Sequence, residues 1–541
     1  MKKILLGNEA IVQGALEAGV DFVSAYPGTP SSEIGVIFGK IAKKHGVYFE
    51  FSTNEKVALE AAVGASFSGL KCLVAMKNFG LNVASDALLP FVYTGTKGPT
   101  VIIVADDPSC WSSGQSEENS RAFAYLAHIP ILEPSDAQVA KEYVELGFEI
   151  SEKFNIPVIV RITTRVAHQK MPVEIGKIIR SNTTGKFVKD VKRFVTMPPR
   201  VLEMKEELLE KIEKIKQYAE KSKIDQICKG PSSAKLGIIT SGVSYLYVME
   251  VLKELNIDLP VLKLAFFYPL SEKKIKNFIK GFKKVLIVEE LEPFLEKEVN
   301  ALAKEVNPKL QVLGKDVLSE VRELNTEKVG QAIAILVNKK YKAPKSLSID
   351  IPKRCPRLCP DCPHQFVFSA VKEVAPKGTI FGGGIGCYML AGFPPHNIQD
   401  YLSCMGSSIG IAHGIKKSSN QKLISFIGDS SFFHAGIPAL INSVYNQSNP
   451  LIIVVDNRIT AMTGHQPNPG MGKTGMGEDV EEIKIEDIVK ACGVKHIKVI
   501  DPKNINELKK TIKEFLNKKE VSVIVAKRIC ALYERRLKRK K

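Results

Sequence analysis

Two short stretches hold the residue types best suited to chemistry, Gly428-Asp429-Ser430 and Asp456-Asn457. The first closes an apolar run, Leu423-Ile424-Ser425-Phe426-Ile427, and the second closes another, Leu451-Ile452-Ile453-Val454-Val455. A helix-like segment from Ala435 to Gln447 lies between them. The spacing predicts a strand–turn–helix–strand unit with an acid and an amide at the carboxyl ends of neighbouring parallel strands. Parallel sheets bind their ligands at those ends. A carboxylate and a side-chain amide suit Mg²⁺, which takes a few hard oxygens and leaves its other positions to phosphate and water. The free N–H groups of a helix starting at Gly428 favour phosphate. The unit therefore reads as a Mg²⁺–diphosphate site, with an ordinary α/β turn and an Asp N-cap as the alternative.

The same unit resembles the thiamine diphosphate motif, Gly-Asp-Gly followed one helix and one strand later by Asn-Asn. Ser430 stands for the last Gly and Asp456 for the first Asn. The resemblance implies that Asp429, Asn457 and the backbone carbonyl of Ile459 bind the metal, with Gly428 and Ser430 beside the diphosphate. Thiamine chemistry also needs a carboxyl group beside the aminopyrimidine ring, in a dry pocket that tunes its pKa. Glu55 opens the small-residue stretch Asn54-Glu55-Lys56-Val57-Ala58-Leu59-Glu60-Ala61-Ala62-Val63-Gly64-Ala65 and is the candidate. Taken alone, Glu55 could equally be a helix N-terminal acid that complements the dipole. Glu60 is a second candidate with a more structural position.

Further motifs widen the resemblance. Tyr26-Pro27-Gly28-Thr29-Pro30-Ser31-Ser32-Glu33, Met76-Lys77-Asn78-Phe79-Gly80-Leu81-Asn82, Ala105-Asp106-Asp107-Pro108, Cys359-Pro360-Asp361-Cys362-Pro363-His364 and Asp456-Asn457-Arg458-Ile459-Thr460-Ala461-Met462-Thr463-Gly464-His465-Gln466-Pro467 follow one another in order. Over nearly the whole chain they resemble the 2-oxoacid:ferredoxin oxidoreductases, most of all their indolepyruvate-type large (alpha) subunits. The resemblance implies that Glu55 activates the cofactor and that Thr29 contacts the substrate carboxylate and keto group. Arg121 aligns less securely with a substrate-carboxylate arginine, and the alternative is a surface helix residue. His434 and His465 flank the metal motif as candidates to face the reacting carbon, or as structural, hydrogen-bonded histidines.

Oxidative decarboxylation leaves two electrons, which iron–sulfur clusters on Cys thiolates can accept. Five of the ten cysteines, Cys355, Cys359, Cys362, Cys387 and Cys404, crowd into one short stretch. A cytosolic cluster of this kind favours metal or redox chemistry over disulfides. By resemblance to the related pyruvate enzymes, Cys359, Cys362, Cys387 and Cys530 hold one [4Fe–4S] cluster. A Cys₄ zinc site has similar spacing, and Cys387 and Cys530 could instead be buried small apolar residues. Cys355 is a substitute ligand; Cys404 and Cys492 read as buried. The family usually continues past Arg528-Ile529-Cys530-Ala531-Leu532 into a ferredoxin-like domain, whereas this chain stops at Lys541. Its electrons would then leave through a separate ferredoxin.

The elements that must place these groups are legible in outline. At 541 residues, 45% hydrophobic and 25% charged, the chain has room for several domains. Runs at 21–25, 72–76, 101–105 and 158–162 alternate with helical patterns, which predicts βαβ units on a parallel sheet. The expected organisation is α/β: a multidomain thiamine-diphosphate-binding fold with two parallel-sheet cofactor domains and a transketolase C-terminal-like domain. The boundaries are 1–180 for the pyrimidine-binding domain, 181–232 for a linker or helical excursion, 233–340 for the transketolase-like domain and 346–541 for the diphosphate domain. The net charge of +18 suits an acidic partner, but no nucleic-acid motif is present and no apolar run reaches membrane-spanning length. The basic end, Arg535 to Lys541, reads as a frayed tail or a dock for acidic ferredoxin. The expected setting is cytoplasmic. The expected assembly is a heteromer with a smaller beta subunit, such as a dimer of heterodimers. It would convert a 2-oxoacid, an arylpyruvate by resemblance, and coenzyme A into acyl-CoA, CO₂ and reduced ferredoxin. A non-oxidative thiamine decarboxylase and a zinc-stabilised scaffold subunit are the rivals.

Overall fold

The computed structural model describes residues 1–181, 184–343, 352 and 355–540. The linker expected after Ala343, the boundary expected at 346 and the last residue, Lys541, lie outside them. The chain forms two units, Met1–Ser348 and Ile349–Lys541.

Three long apolar strands, Cys72–Lys77, Thr100–Asp106 and Val158–Thr163, are the centre of the first unit, and nearly every residue in them is buried. Parallel strands covered by helices on both faces have no solvent side, which explains the unbroken apolar runs. The full sheet runs Phe266–Tyr268, Ile131–Leu132, Val158–Thr163, Thr100–Asp106, Cys72–Lys77, Phe22–Ala25, Tyr48–Phe51. All neighbours are parallel except the edge strand Phe266–Tyr268, which is antiparallel to Ile131–Leu132 and comes from the following lobe.

That lobe has its own five-stranded sheet, ordered Gln311–Leu313, Lys284–Val288, Leu236–Ser241, Val261–Leu264, Gln226–Cys228. Side-chain alternation splits its core in two. Ile238, Leu286 and Val288 pack with Val248 and Ile333 on one face, and Ile239, Val285 and Ile287 with Ile275 and Val299 on the other. Two parts of the expected 181–232 linker are ordered into the fold. The Arg200–Lys221 helix buries Met204, Leu208, Ile212, Ile215 and Ala219 along one stripe. Gln226–Cys228 joins the second sheet as an antiparallel edge. At the N-terminus, Lys2–Leu6 is a strand paired antiparallel with Lys170–Glu174.

The second unit is a five-stranded, fully parallel sheet ordered Ile380–Gly382, Leu423–Gly428, Leu451–Asp456, Ser522–Lys527, His496–Ile500. The predicted strand–helix–strand unit is present, with Gly428 opposite Val455. The segment between the strands is less regular than one helix. Asp429–Ser431 starts helical, Phe432–Gly436 widens into a π turn, and Ile437–Tyr445 completes it. The basic end is not frayed over its described part: Ala531–Lys540 is a helix, and Arg535 donates to Asp361 Oδ2 at 2.6 Å. Among the described residues no helix is long and apolar enough to cross a membrane.

Candidate functional site

In the first unit the candidate groups gather at the carboxyl edge of the seven-stranded sheet. The Tyr26-to-Pro30 loop follows Phe22–Ala25, Asn54-Glu55 follows Tyr48–Phe51, Lys77 ends Cys72–Lys77, and Asp107 follows Thr100–Asp106. Asn54 caps the Glu55–Phe67 helix, its Oδ1 accepting from Val57 N at 2.9 Å, and so fixes Glu55 in the first turn. Glu55 is buried, at 6% exposure. Its side chain lies against Gly80 at the start of the Asn78–Thr94 helix: a Cβ there would come within 2.6 Å of Glu55 Cγ and 2.9 Å of Oε1. Glu60, by contrast, is exposed and pairs with Lys56 at 2.5 Å, a structural use.

Thr29 is half-buried, and its carbonyl accepts from Ser112 Oγ at 3.3 Å. Asp107 anchors the loop above it. Oδ2 accepts from Ser112 N at 2.8 Å, Ser112 Oγ at 3.0 Å and Ser113 Oγ at 2.7 Å, and Oδ1 accepts from Thr164 Oγ1 at 2.6 Å. Burial works to raise its pKa, but these donors hold it below the usual carboxylate range.

Arg121 does not occupy the expected place. It is 2% exposed, so it is not a surface residue, and its guanidinium is fully engaged. Nε and one terminal nitrogen hold Glu133 at 2.7 Å each, the other holds Glu289 at 2.7 Å, and Ser241 Oγ lies at 2.9 Å. Phe267 stacks beneath it, 4.7 Å from Cζ. Arg161 extends the network to Asp106 and Glu133. Burial would raise the Glu133 pKa, yet the two arginines keep it at about 2. The arginine expected to hold a substrate carboxylate is thus a buried strut between the two lobes of the unit. Glu290, beside this network, is pushed up to about 7 by burial.

In the second unit, Asp429 is 4% exposed and has no ion-pair partner among the described residues. Oδ1 accepts from Ser430 N at 2.8 Å; Oδ2 accepts from Ile459 N at 2.9 Å and Asn468 Nδ2 at 2.9 Å. Burial first, then the neighbouring Asp456, raises its pKa to about 7. Asp456 is also raised by burial, against Arg458 and Lys527. Two buried carboxylates with so little counter-charge are a suitable environment for a divalent cation, and Asp429 Oδ1 retains lone-pair capacity for one. Asn457 Oδ1 accepts from Ile459 N at 3.2 Å, which draws Asn457, Ile459 and Asp429 to one place. Ser430 sits in helical backbone without strain, its Oγ 2.7 Å from Thr460 Oγ1, so Ser is accommodated where the motif has Gly. Tyr388 packs over Gly428, whose missing side chain leaves room for it.

The cysteines meet in the same unit. Burial pushes Cys387 up to about 12, and Cys362, Cys530 and Cys359 are near enough to push the same way. Cys362 rises to about 11, by burial and then by Cys530 and Cys359. Three separate segments thus bring four half-buried thiols together. No three His, Cys, Asp or Glu among the described residues surround a single point closely enough for one metal ion. Cys404 is exposed, not buried, and so is Cys355. His465 lies against this group, Nε2 3.7 Å from Cys530 Sγ, with its ring stacked on Tyr533. His434 is buried within the π turn. Lys77, Gly80, Asp107 and His364 lie inside the motifs quoted above but carried no individual role there, and Asn468 lies outside them; His364 is buried, held neutral with its pKa near 4, and 3.4 Å from Asn457 Nδ2.

Three family models match successive parts of the chain. Residues 13–221 match the family model described as pyruvate flavodoxin/ferredoxin oxidoreductase, thiamine diphosphate-binding; 226–340 match the indolepyruvate oxidoreductase domain; and 384–526 match the thiamine pyrophosphate enzyme C-terminal binding domain. The indolepyruvate oxidoreductase subunit IorA of Methanothermobacter thermautotrophicus is 44% identical over 98% of this chain and 87% of its own. That of Pyrococcus horikoshii is 43% identical over 98% and 86%. A solved 2-oxoglutarate:ferredoxin oxidoreductase from Magnetococcus marinus, with 2-oxoglutarate, coenzyme A and succinyl-CoA bound, superposes with a TM-score of 0.50 at 18% identity. It covers 62% of this chain and 65% of its own, and supports the fold alone.

Proposed function

Because the chain belongs to the indolepyruvate oxidoreductase subunit IorA family, we propose that it is the large subunit of a thiamine-diphosphate-dependent 2-oxoacid:ferredoxin oxidoreductase acting on an arylpyruvate. The reaction joins the 2-oxoacid to coenzyme A, releases CO₂ and one proton, and passes two electrons singly to ferredoxin. A smaller beta subunit is the implied partner. The observation that carries the oxidative reading is the meeting of Cys359, Cys362, Cys387 and Cys530, which a non-oxidative decarboxylase has no use for.

Thiamine diphosphate, when bound, supplies a carbon nucleophile that stabilises the electron pair left by decarboxylation. Asp429, Asn457 and the Ile459 carbonyl would hold its Mg²⁺. Glu55, dry and fixed under Gly80, would hydrogen-bond the aminopyrimidine ring. Thr29 would meet the substrate. The four cysteines would hold one [4Fe–4S] cluster.

Protein purified with its partner subunit under argon tests this reading. About four iron and four acid-labile sulfide per chain are expected, together with acyl-CoA and reduced ferredoxin from an arylpyruvate. Zinc in place of iron, or an aldehyde as the only product, would overturn it.

A further inference from the structure

With Arg121 locked between Glu133 and Glu289, the expected carboxylate-binding cation is missing from the carboxyl edge of the first sheet. Lys77 is there instead. It ends the Cys72–Lys77 strand, which lies between the strands that lead into the Thr29 loop and into Asp107. Its stem lies along Gly28, where a Cβ would come within 2.9 Å of Lys77 Cγ. The same residue pair therefore sets both the course of the lysine and the closeness of the Tyr26-Pro27-Gly28-Thr29 loop. The ammonium reaches over the Phe79 ring at 4.8 Å and donates to Ser113 Oγ at 2.8 Å.

Lys77 is half-buried and makes no ion pair among the described residues. Three carboxylates lie near enough to act on its charge, Asp107, Glu55 and Glu118, yet each is otherwise placed. Asp107 is saturated by hydroxyl and N–H donors and is reached only through Ser113. Glu118 accepts from Asn82 Nδ2 at 3.0 Å, and Glu55 turns under Gly80. Burial lowers the Lys77 pKa, as expected for an ammonium short of a partner. Next to it, Asn78 is fully buried, and neither side-chain polar atom has a hydrogen-bond partner among the described residues. A side-chain cation flanked by Thr29 and Ser113, at the start of a 17-residue helix whose dipole also favours anions, is a site of positive potential beside Glu55.

We propose that Lys77 is the substrate-binding cation of this enzyme and receives the carboxylate of the 2-oxo acid, with Thr29 and Ser113 beside it. The proposal rests on the functional reading above. A charge-assisted bond to an ammonium is a point contact without the planar fork of a guanidinium, so it fixes the carboxylate's place more than its rotation.

The test compares Lys77→Met, Lys77→Gln and Lys77→Arg in the enzyme assembled with its partner subunit. Steady-state rates are taken separately against the arylpyruvate and against coenzyme A. An aryl-propanoate, which keeps the carboxylate but lacks the keto group, serves as competitive inhibitor. K77M and K77Q should raise KM for the 2-oxo acid about 10- to 100-fold and weaken the inhibitor in parallel. KM for coenzyme A should stay within about twofold and K77R should recover most of the loss. A KM for the oxo acid unchanged in both uncharged variants, or a loss spread equally over both substrates, would overturn the proposal. If K77M does not assemble, K77Q decides by the same split. No turnover of any 2-oxo acid by the unaltered enzyme would sink the functional reading, and this proposal with it; turnover with an insensitive KM would sink this proposal alone.

Discussion

Gly80→Ala tests the placement of Glu55 more sharply than removing the carboxyl does, because it leaves every functional group present. The new methyl carbon would lie 2.6 Å from Glu55 Cγ, 2.9 Å from Oε1 and 3.0 Å from Cδ. Carbon atoms settle at about 3.5 to 4.0 Å, so the side chain must withdraw by roughly 1 Å. The flexible glutamate gives way before the helix does, since Gly80 is in the buried first turn of Asn78–Thr94. A displacement of about 1 Å at a reacting group can cost on the order of 10²-fold in rate. Helix propensity favours the alanine by about 0.5 to 1 kcal/mol, against about 1 to 3 kcal/mol for overpacking. The net is a loss of about 0 to 2.5 kcal/mol, so the melting temperature should fall by no more than a few degrees, about the same with and without cofactor, while kcat falls roughly 10- to 100-fold. The assay is anaerobic ferredoxin reduction by the assembled enzyme, with thiamine diphosphate affinity measured alongside. Gly64→Ala is the control: it is on the Glu55–Phe67 helix, and its Cβ meets nothing within 4 Å. A Gly80→Ala enzyme with undiminished kcat would refute the claim that the Glu55 carboxyl works from this position.

Four further outcomes are expected. Cys387→Ala should lose most of the iron and the ferredoxin reduction while still binding thiamine diphosphate, whereas Cys492→Ala should keep its iron; metal analysis and visible absorption decide. Arg121→Met should destabilise by about 3 to 5 kcal/mol, because Glu289 loses its buried ion pair and Glu133 is left with Arg161 alone, and denaturant melts would show it without a selective change in KM. Glu290→Gln bears on pH. A folded pKa raised from 4.5 to about 7 means that this residue's stabilising effect is full below pH 4.5 and is lost as pH rises to 7, a cost of roughly 3 kcal/mol above that. The substitution should raise the melting temperature at pH 8 and leave it nearly unchanged at pH 4.5. Asp429→Asn should abolish Mg²⁺-dependent thiamine diphosphate binding, read by calorimetry, without unfolding the chain.

Local signals were legible and distant ones were not. The Leu451–Asp456 strand is an apolar run because both faces of its sheet are covered, so its boundaries could be read directly. Asp429 and Asn457 depend on strand ends close in sequence, and the strands pair as the spacing required. Arg121 could not be read this way, since its partner Glu289 is 168 positions away. Nothing in a linear pattern separates a carboxylate-binding arginine from one held between two lobes. Lys77 lay within a recognised motif, but its meaning comes from Gly28 and Ser113 converging on it from two other segments, with Phe79 beside it in its own. The strands Gln226–Cys228 and Phe266–Tyr268 were missed because three residues are too few to show a period.

The borrowed edge strand has a consequence for how the chain is made. Phe266–Tyr268 closes the open side of a sheet whose other strands are complete by Thr163. On the ribosome, roughly a hundred more residues must emerge first, about 5 to 20 s at ordinary rates of synthesis. For that interval the nascent first lobe presents Ile131–Leu132 as an unpaired edge, which is a template for wrong pairing. A holding chaperone, or slow release of the nascent chain, would matter most in that window, and truncating the gene before codon 266 should yield aggregate rather than a smaller soluble domain.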